Sequence, residues 1–211
     1  MTATDPPGLD LARLARWFAD AVPGAGGPLT ASLVAGGKSN LTYQVTCDGA
    51  TWIVRRPPLG HVLATAHDMT REYRVISALQ DSAVPVPRTY ALCEDTEVLG
   101  APFYVMERVD GTPYRHAGEL ERLGPARTRA IATDLVDTLA ALHAVDPDAV
   151  GLTGFGRPEG FLARQVKRWR QQLDASRSRE LPAADELHER LAADIPPQPP
   201  PGIVHGDYRL D

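Results

Sequence analysis

The chain has 211 residues, 43% hydrophobic and 23% charged, a composition that excludes wholesale disorder and suits one large domain or two small lobes. Its formal net charge of −5 speaks against a nucleic-acid partner. No apolar run approaches the roughly 18 residues of a membrane span, and the first ten residues lack the basic and apolar regions of a secretory signal, so a cytoplasmic protein is expected.

Two cysteines, Cys47 and Cys93, give neither a disulfide framework nor metal-ligand spacing, and free reduced thiols are expected. Of the 22 basic residues only Lys38 and Lys167 are lysines. Any task that a lysine performs elsewhere must fall to one of these or to an arginine.

Leu11, Leu14, Ala15 and Phe18 stand at i, i+3, i+4 and i+7, which predicts an amphipathic helix over residues 9–20. A strand-like run at 32–34 leads to Gly36-Gly37. Leu41, Tyr43, Val45 and Cys47 then alternate with polar residues as in a half-buried strand. Asp48-Gly49 is a hairpin turn signal, residues 51–55 return as a third strand, and Pro57-Pro58 closes it. Asp68 is placed to cap a helix over 69–80 with Met69, Tyr73, Ile76 and Leu79 as its buried stripe. Pro85 and Pro87 force extended chain. Two further strands are expected at 88–93 and 103–108, followed by a turn at Asp110-Gly111.

Beyond residue 111 the pattern is helical. Pro125 fits the first turn of a helix reaching Leu142, with Ile131, Leu135, Leu139 and Leu142 on one face. A second helix carries Leu162, Val166, Trp169 and Leu173, and a third, over 183–193, carries Leu187 and Leu191. Residues 196–201 are too proline-rich for regular helix. Strands with one helix, then helices, read as α+β with a boundary near Val109 to Thr112. The expected domains are 1–108 and 109–211.

Several segments have chemical possibilities. Gly36-Gly37-Lys38-Ser39 resembles the end of a Walker A loop, but position 32 is Ser and a strand follows, so that reading fails. A glycine turn between strands remains, whose backbone N–H groups and the short Ser39 and Asn40 side chains approach phosphate oxygens; a plain hairpin loop is the alternative. Arg55 and Arg56 end the third strand, and alternation points them to opposite faces. One can face a cleft and pair with Glu72 on the following helix, or both can be solvated. The strand end at 103–110 offers the Glu107 carbonyl and Val109 N–H to an adenine, or simply ends a strand. In His205-Gly206-Asp207, Asp207 suits acceptance of a hydroxyl proton during phosphoryl transfer, with His205 bracing the loop. The basic run of Arg164, Lys167, Arg168, Arg170, Arg177 and Arg179 is a solvated face or a site for an anionic part of a substrate. His61, His67, His116, His143 and His188 have no metal spacing and are read as structural or surface residues.

Taken in order, these segments resemble the aminoglycoside phosphotransferase family. Gly36-Gly37-Lys38-Ser39-Asn40 falls at its nucleotide loop. Trp52-Ile53-Val54-Arg55-Arg56-Pro57 resembles its cation-bearing strand and puts that role on Arg55. Arg71-Glu72-Tyr73 resembles the helix of the partner carboxylate, Glu72. Tyr104-Val105-Met106-Glu107-Arg108-Val109-Asp110-Gly111 resembles the hinge, with Met106, Glu107 and Val109 beside the nucleotide. His205-Gly206-Asp207-Tyr208-Arg209-Leu210-Asp211 resembles the catalytic loop, with Asp207 as catalytic aspartate. Arg55-Arg56-Pro57-Pro58, Ala66-His67-Asp68-Met69 and Gln165-Val166-Lys167-Arg168-Trp169 resemble the branch related to kinase-like domains fused to acyl-CoA dehydrogenases.

The resemblance implies a protein-kinase-like two-lobe fold, with an antiparallel sheet lobe and an incomplete helical lobe. It implies ATP and Mg²⁺ as cofactors and a small hydroxylated acceptor, a hydroxyacyl-CoA-like metabolite before an aminoglycoside. The family places its metal ligands, an asparagine and a later aspartate, after Asp211, so none is expected within these residues. The chain therefore reads as truncated, with little or no kinase activity of its own. The alternative is a binding-only pseudokinase or fragment that holds nucleotide or a partner. A third reading, an unrelated α+β metabolite-binding protein, predicts no stabilisation by ATP. The oligomeric state is not readable.

Overall fold

Asp10 starts the first helix. Its carboxylate accepts the Arg13 N–H at 2.9 Å, an N-cap that satisfies one of the helix's orphan donors, and α1 (Leu11–Ala21) follows. The computed structural model describes residues 5–34, 40–60 and 67–210. Leu14 and Phe18, one turn apart on α1, are 0% and 1% exposed. They join Val45, Trp52, Val54, Phe103 and Val105 in one buried cluster, each such side chain contributing about 1.5–3 kcal/mol. Phe18 meets Trp52 edge-on at 5.9 Å, and Trp17 meets Phe103 at 4.8 Å.

The partner of α1 is a five-stranded antiparallel sheet. Its strands are β1 (Thr30–Leu33), β2 (Leu41–Cys47), β3 (Ala50–Arg56), β4 (Thr89–Cys93) and β5 (Phe103–Glu107), in the order β1-β2-β3-β5-β4. The alternation read in β2 is real: Tyr43, Val45 and Cys47 are buried and the residues between them only half so. Between β2 and β3, Asp48 and Gly49 have φ of 47° and 85°. Positive φ at both positions is the type I′ condition. A Cβ added at Gly49 would meet nothing within 4 Å, so only backbone conformation opposes one. Gly49→Ala should cost about 1 kcal/mol, lowering Tm by about 2–4 °C with an unchanged circular dichroism spectrum. A wild-type melting curve would show that the turn does not hold the hairpin.

α2 (Met69–Leu79) lies against β4 and β5. Asp68 caps it as expected, accepting the Arg71 N–H at 2.9 Å. Of its expected stripe, Met69 and Leu79 are buried and Tyr73 and Ile76 are half-buried. Two one-turn helices, α3 (Thr96–Leu99) and α4 (Ala117–Glu121), are additions to the expected elements. Their four and five residues are too few to display a helical period. Capping defines them instead: Asp95 accepts the Glu97 N–H at 2.8 Å, and the Glu119 carboxylate accepts the His116 N–H at 3.0 Å.

The helices α5 (Gly124–Ala144), α6 (Phe161–Ser176) and α7 (Pro182–Ala193) complete the order. Two compact units emerge, residues 1–142 with 205–211, and residues 143–204. The expected boundary near 109–112 falls inside the first.

In the second unit Arg170 and Arg177 both pair with Asp185 of α7, Arg170 at 2.7 Å. Hydrogen bonding to Arg177 holds the Asp185 carboxyl below the usual aspartate range, with Arg170 adding to it. Trp169, read together with Leu162, Val166 and Leu173 on one helix, is 66% exposed. The half-buried line runs through Leu162, Val166, Arg170, Leu173 and Arg177, because the arginines turn inward to meet Asp185. Leu187 and Leu191, at 57% and 49%, are likewise exposed. Arg164 donates to the carbonyls of Arg157 and Glu159. Three members of the basic run are thus engaged within this unit. Among the described residues no helix is long and apolar enough to cross a membrane.

Candidate functional site

Strand register decides which arginine goes where. Arg55 lies opposite Thr42 of β2 and Tyr104 of β5. Residues directly opposite share a face of a sheet, so Thr42, Arg55 and Tyr104 form one row. Val54, one place earlier, is in the α1 cluster, so that row is on the other face.

Glu72 comes to this row from the first turn of α2. Its Oε2 accepts Arg55 Nε at 2.7 Å and the Tyr104 hydroxyl at 3.2 Å, and its Oε1 accepts Asn40 Nδ2 at 2.7 Å. Arg55 Nη1 donates to Thr42 Oγ1 at 3.3 Å. Among the described residues Arg55 Nη2 has no hydrogen-bond partner, and the side chain keeps 30% of its surface. Nε and Nη1 are therefore held, and Nη2 is left without a partner among the described residues. Burial disfavours the Arg55 cation, but the hydrogen bond and charge of Glu72 outweigh it and hold its pKa above the ordinary arginine value. Burial, and then the Glu72 charge, push the Tyr104 phenol far above its usual range. Tyr104 thus remains a donor at any working pH.

Asn40, 5% exposed, uses both ends of its amide. Its Nδ2 faces a carboxylate, which only accepts, so Oδ1 is the end that meets His67 Nδ1 at 2.6 Å. His67 must then donate from Nδ1. The neighbouring candidates Gly36, Gly37, Lys38 and Ser39 lie outside the described residues.

Arg56 takes the opposite role. It is 5% exposed and donates to the carbonyls of Gly8 and Leu99, the latter at 2.9 Å, with Nε to Pro57 O at 3.3 Å. Burial lowers its pKa, partly offset by the Tyr43 phenol. Neither arginine is a solvated surface residue.

At the strand end, Met106 lies opposite Ile53 and so shares the face of Arg55. The Glu107 N–H donates to Arg88 O at 2.7 Å and its carboxylate accepts the Arg88 N–H at 3.0 Å. Val109 is 64% exposed, and Arg108 pairs with Asp110 at 2.9 Å.

The His205–Leu210 segment is in the same unit. Gly206 has φ 84°, and across this bend the Asp207 N–H donates to His205 Nδ1 at 3.3 Å. That bond makes Nδ1 an acceptor, so a neutral His205 carries its proton on Nε2. The His205 and Tyr208 rings lie 5.3 Å apart. Leu210 O accepts the Tyr114 N–H at 3.3 Å, fastening the segment to the chain three residues past Gly111. The Asp207 carboxylate is on an exposed residue. Asp211 lies outside the described residues. Thr42, Tyr104 and His67 entered no sequence-based site list. Period-two spacing puts Thr42 on the face of Asn40, but Tyr104 becomes visible only once β5 is known to pair with β3.

This architecture, an antiparallel sheet with α2 on the face of the paired cation, followed by helices, is a kinase-like α+β fold. The chain belongs to the phosphotransferase enzyme family, APH, whose model matches residues 30–211. It is 37% identical over 207 residues to acyl-CoA dehydrogenase family member 11 of Gallus gallus, covering 96% of this chain and 26% of that protein. It is 38% identical over 175 residues to acyl-CoA dehydrogenase family member 10 of Mus musculus, covering 83% of this chain and 16% of that one. A solved structure from Ralstonia eutropha JMP134, provisionally named an aminoglycoside phosphotransferase, matches with a TM-score of 0.82 and 37% identity. That match covers 96% of this chain and 59% of the Ralstonia chain. The chain thus spans little more than half of the solved relative and about a quarter or less of the curated ones.

Proposed function

We propose that this chain carries the nucleotide grip and the base of an ATP-dependent kinase that moves the γ-phosphoryl group to a hydroxyl of a small molecule. The observation that carries the reading is the Arg55–Glu72 pair at 2.7 Å, with Nε and Nη1 held and Nη2 without a partner among the described residues. An arginine so held presents donors to phosphate oxygens without first losing side-chain entropy. In this reading residues 1–108 form the nucleotide lobe and 109–211 the hinge and catalytic part. Backbone N–H groups of Gly36, Gly37, Lys38 and Ser39 cradle phosphate oxygens, and Met106, Glu107 and Val109 border the adenine. Asp207 accepts the proton of the acceptor hydroxyl and aims its oxygen. His205 braces the turn through the Asp207 N–H.

Mg²⁺, when bound to the nucleotide, neutralises phosphate charge. Among the described residues no group of three or more His, Cys, Asp or Glu side chains is gathered to hold it. The names of the curated relatives favour a hydroxyacyl-CoA-like acceptor over an aminoglycoside.

Thermal denaturation with ATP and Mg²⁺ tests the grip. Ligand at 100 times its Kd should stabilise the fold by about 2.7 kcal/mol. ATP consumption by the full-length gene product, with hydroxyacyl-CoA esters set against aminoglycosides, tests the transfer. Stabilisation without consumption would make the protein a nucleotide binder, and no stabilisation would end the proposal.

A further inference from the structure

Glu72 Oε1 has a donor that a simple arginine–carboxylate pair does not require. We propose that Asn40 is a positioning residue, which fixes the Glu72 carboxylate and, through it, aims Arg55 at the nucleotide phosphates. The inference rests on the reading of Arg55 as the phosphate cation.

Asn40 stands directly after the Gly36–Ser39 sequence and one residue before β2. Its amide reaches α2 and the residue that precedes that helix's cap, through Glu72 and His67. The two carboxylate oxygens therefore take donors from different strands: β5 and β3 on Oε2, the start of β2 on Oε1. A carboxylate bound on Oε2 alone can rotate about its last torsion, a broad and soft one. The Asn40 bond at 2.7 Å stops that rotation, and it is charge-assisted, hence stronger than a neutral one. Glu72, which only accepts, fixes which end of the amide faces it and leaves Oδ1 for His67 Nδ1. A flipped amide would set Oδ1 against a carboxylate, oxygen against oxygen with no proton between them. Oδ1 and one Nδ2 hydrogen are taken inside the chain and the residue is 5% exposed, so the inferred effect on a phosphate is indirect.

Indirect action has a signature that direct contact lacks. If Asn40 works only through Glu72 and Arg55, its substitution has nothing left to disturb once Arg55 is gone. The experiment is a double-mutant cycle read by calorimetric titration with ATP and Mg²⁺, using wild type, Asn40→Ala, Arg55→Ala and the double variant. Asn40→Ala should weaken affinity roughly tenfold, and the double variant should bind no more weakly than Arg55→Ala. His67→Ala, which leaves Asn40 and Glu72 intact, should lose a few-fold in affinity, and that loss should vanish when Asn40 is already alanine. If Asn40→Ala alone fails to fold, the cycle of His67→Ala with Arg55→Ala serves instead, and the few-fold loss should vanish once Arg55 is alanine. Additive losses in the first cycle would make Asn40 a direct ligand and overturn the inference while sparing the nucleotide site. Unchanged affinity in both Asn40→Ala and His67→Ala would overturn it equally. A wild-type chain that takes up no ATP would overturn the site and the inference together.

Discussion

Asp207→Asn is expected to lower ATP-dependent turnover of the full-length gene product by about 10²–10⁴-fold, while nucleotide affinity stays within about twofold. The substitution is nearly isosteric, so the consequences of geometry and of proton chemistry separate. The bend depends on Gly206 with φ 84° and on the residue-207 N–H to His205 Nδ1, and an asparagine retains both. The hydrogen bond from Tyr114 to Leu210 O involves neither variant atom. What disappears is an oxygen able to take the hydroxyl proton as the phosphorus–oxygen bond forms. A loss of that range corresponds to about 2.7–5.4 kcal/mol of barrier. ATP consumption measures the loss, and calorimetric titration of the same sample checks the affinity. Equal turnover in variant and wild type would take Asp207 out of the mechanism. A parallel loss of affinity would instead make it part of the nucleotide grip.

The parts of the fold that could be read in advance are those fixed by local rules. The Asp68 cap, the Asp48-Gly49 turn and the alternation through Tyr43, Val45 and Cys47 each depend on neighbours within a few residues, and each is present. Alternation also showed that Arg55 and Arg56 would point apart. It did not show what Arg56 would meet, because Gly8 and Leu99 are 48 and 43 residues away. The same limit hid Tyr104, which reaches Glu72 only because β5 enters the sheet between β3 and β4. Trp169 failed for another reason. Hydropathy puts a tryptophan inside and an arginine outside, yet Arg170, paired with Asp185, takes the half-buried place in line with Val166 and Trp169 the exposed one. The partners of Asn40 were hidden in the same way as Tyr104, since Glu72 and His67 are 32 and 27 residues away.

The consecutive arginines of β3 should separate binding from folding. Arg55→Ala should weaken ATP affinity by about 10–100-fold and change stability by about 1 kcal/mol or less. Its partner Glu72 keeps two donors, Asn40 and Tyr104, and is 31% exposed, so water reaches the vacated oxygen, and partly exposed pairs contribute little to folding. Arg56→Leu should do the opposite. It removes every donor from the carbonyls of Gly8 and Leu99 that Arg56 supplies, at a site 5% exposed. Orphaned buried acceptors cost about 1–3 kcal/mol each, so a loss near 3 kcal/mol is expected, or about 6–12 °C in Tm. Affinity of the folded fraction for ATP should remain that of wild type. Arg56→Lys should recover only part of the loss, since an ammonium on a flexible stem must find the place of Nη1, which serves both carbonyls, and supplies no counterpart to the Nε that donates to Pro57 O. Chemical denaturation and calorimetry on the same variants measure the two quantities independently. If Arg56→Leu weakened ATP binding more than Arg55→Ala did, the phosphate-facing side of the sheet would have to be the one that packs on α1. The burial of Leu14, Phe18 and Trp52 on that side leaves a nucleotide no room there.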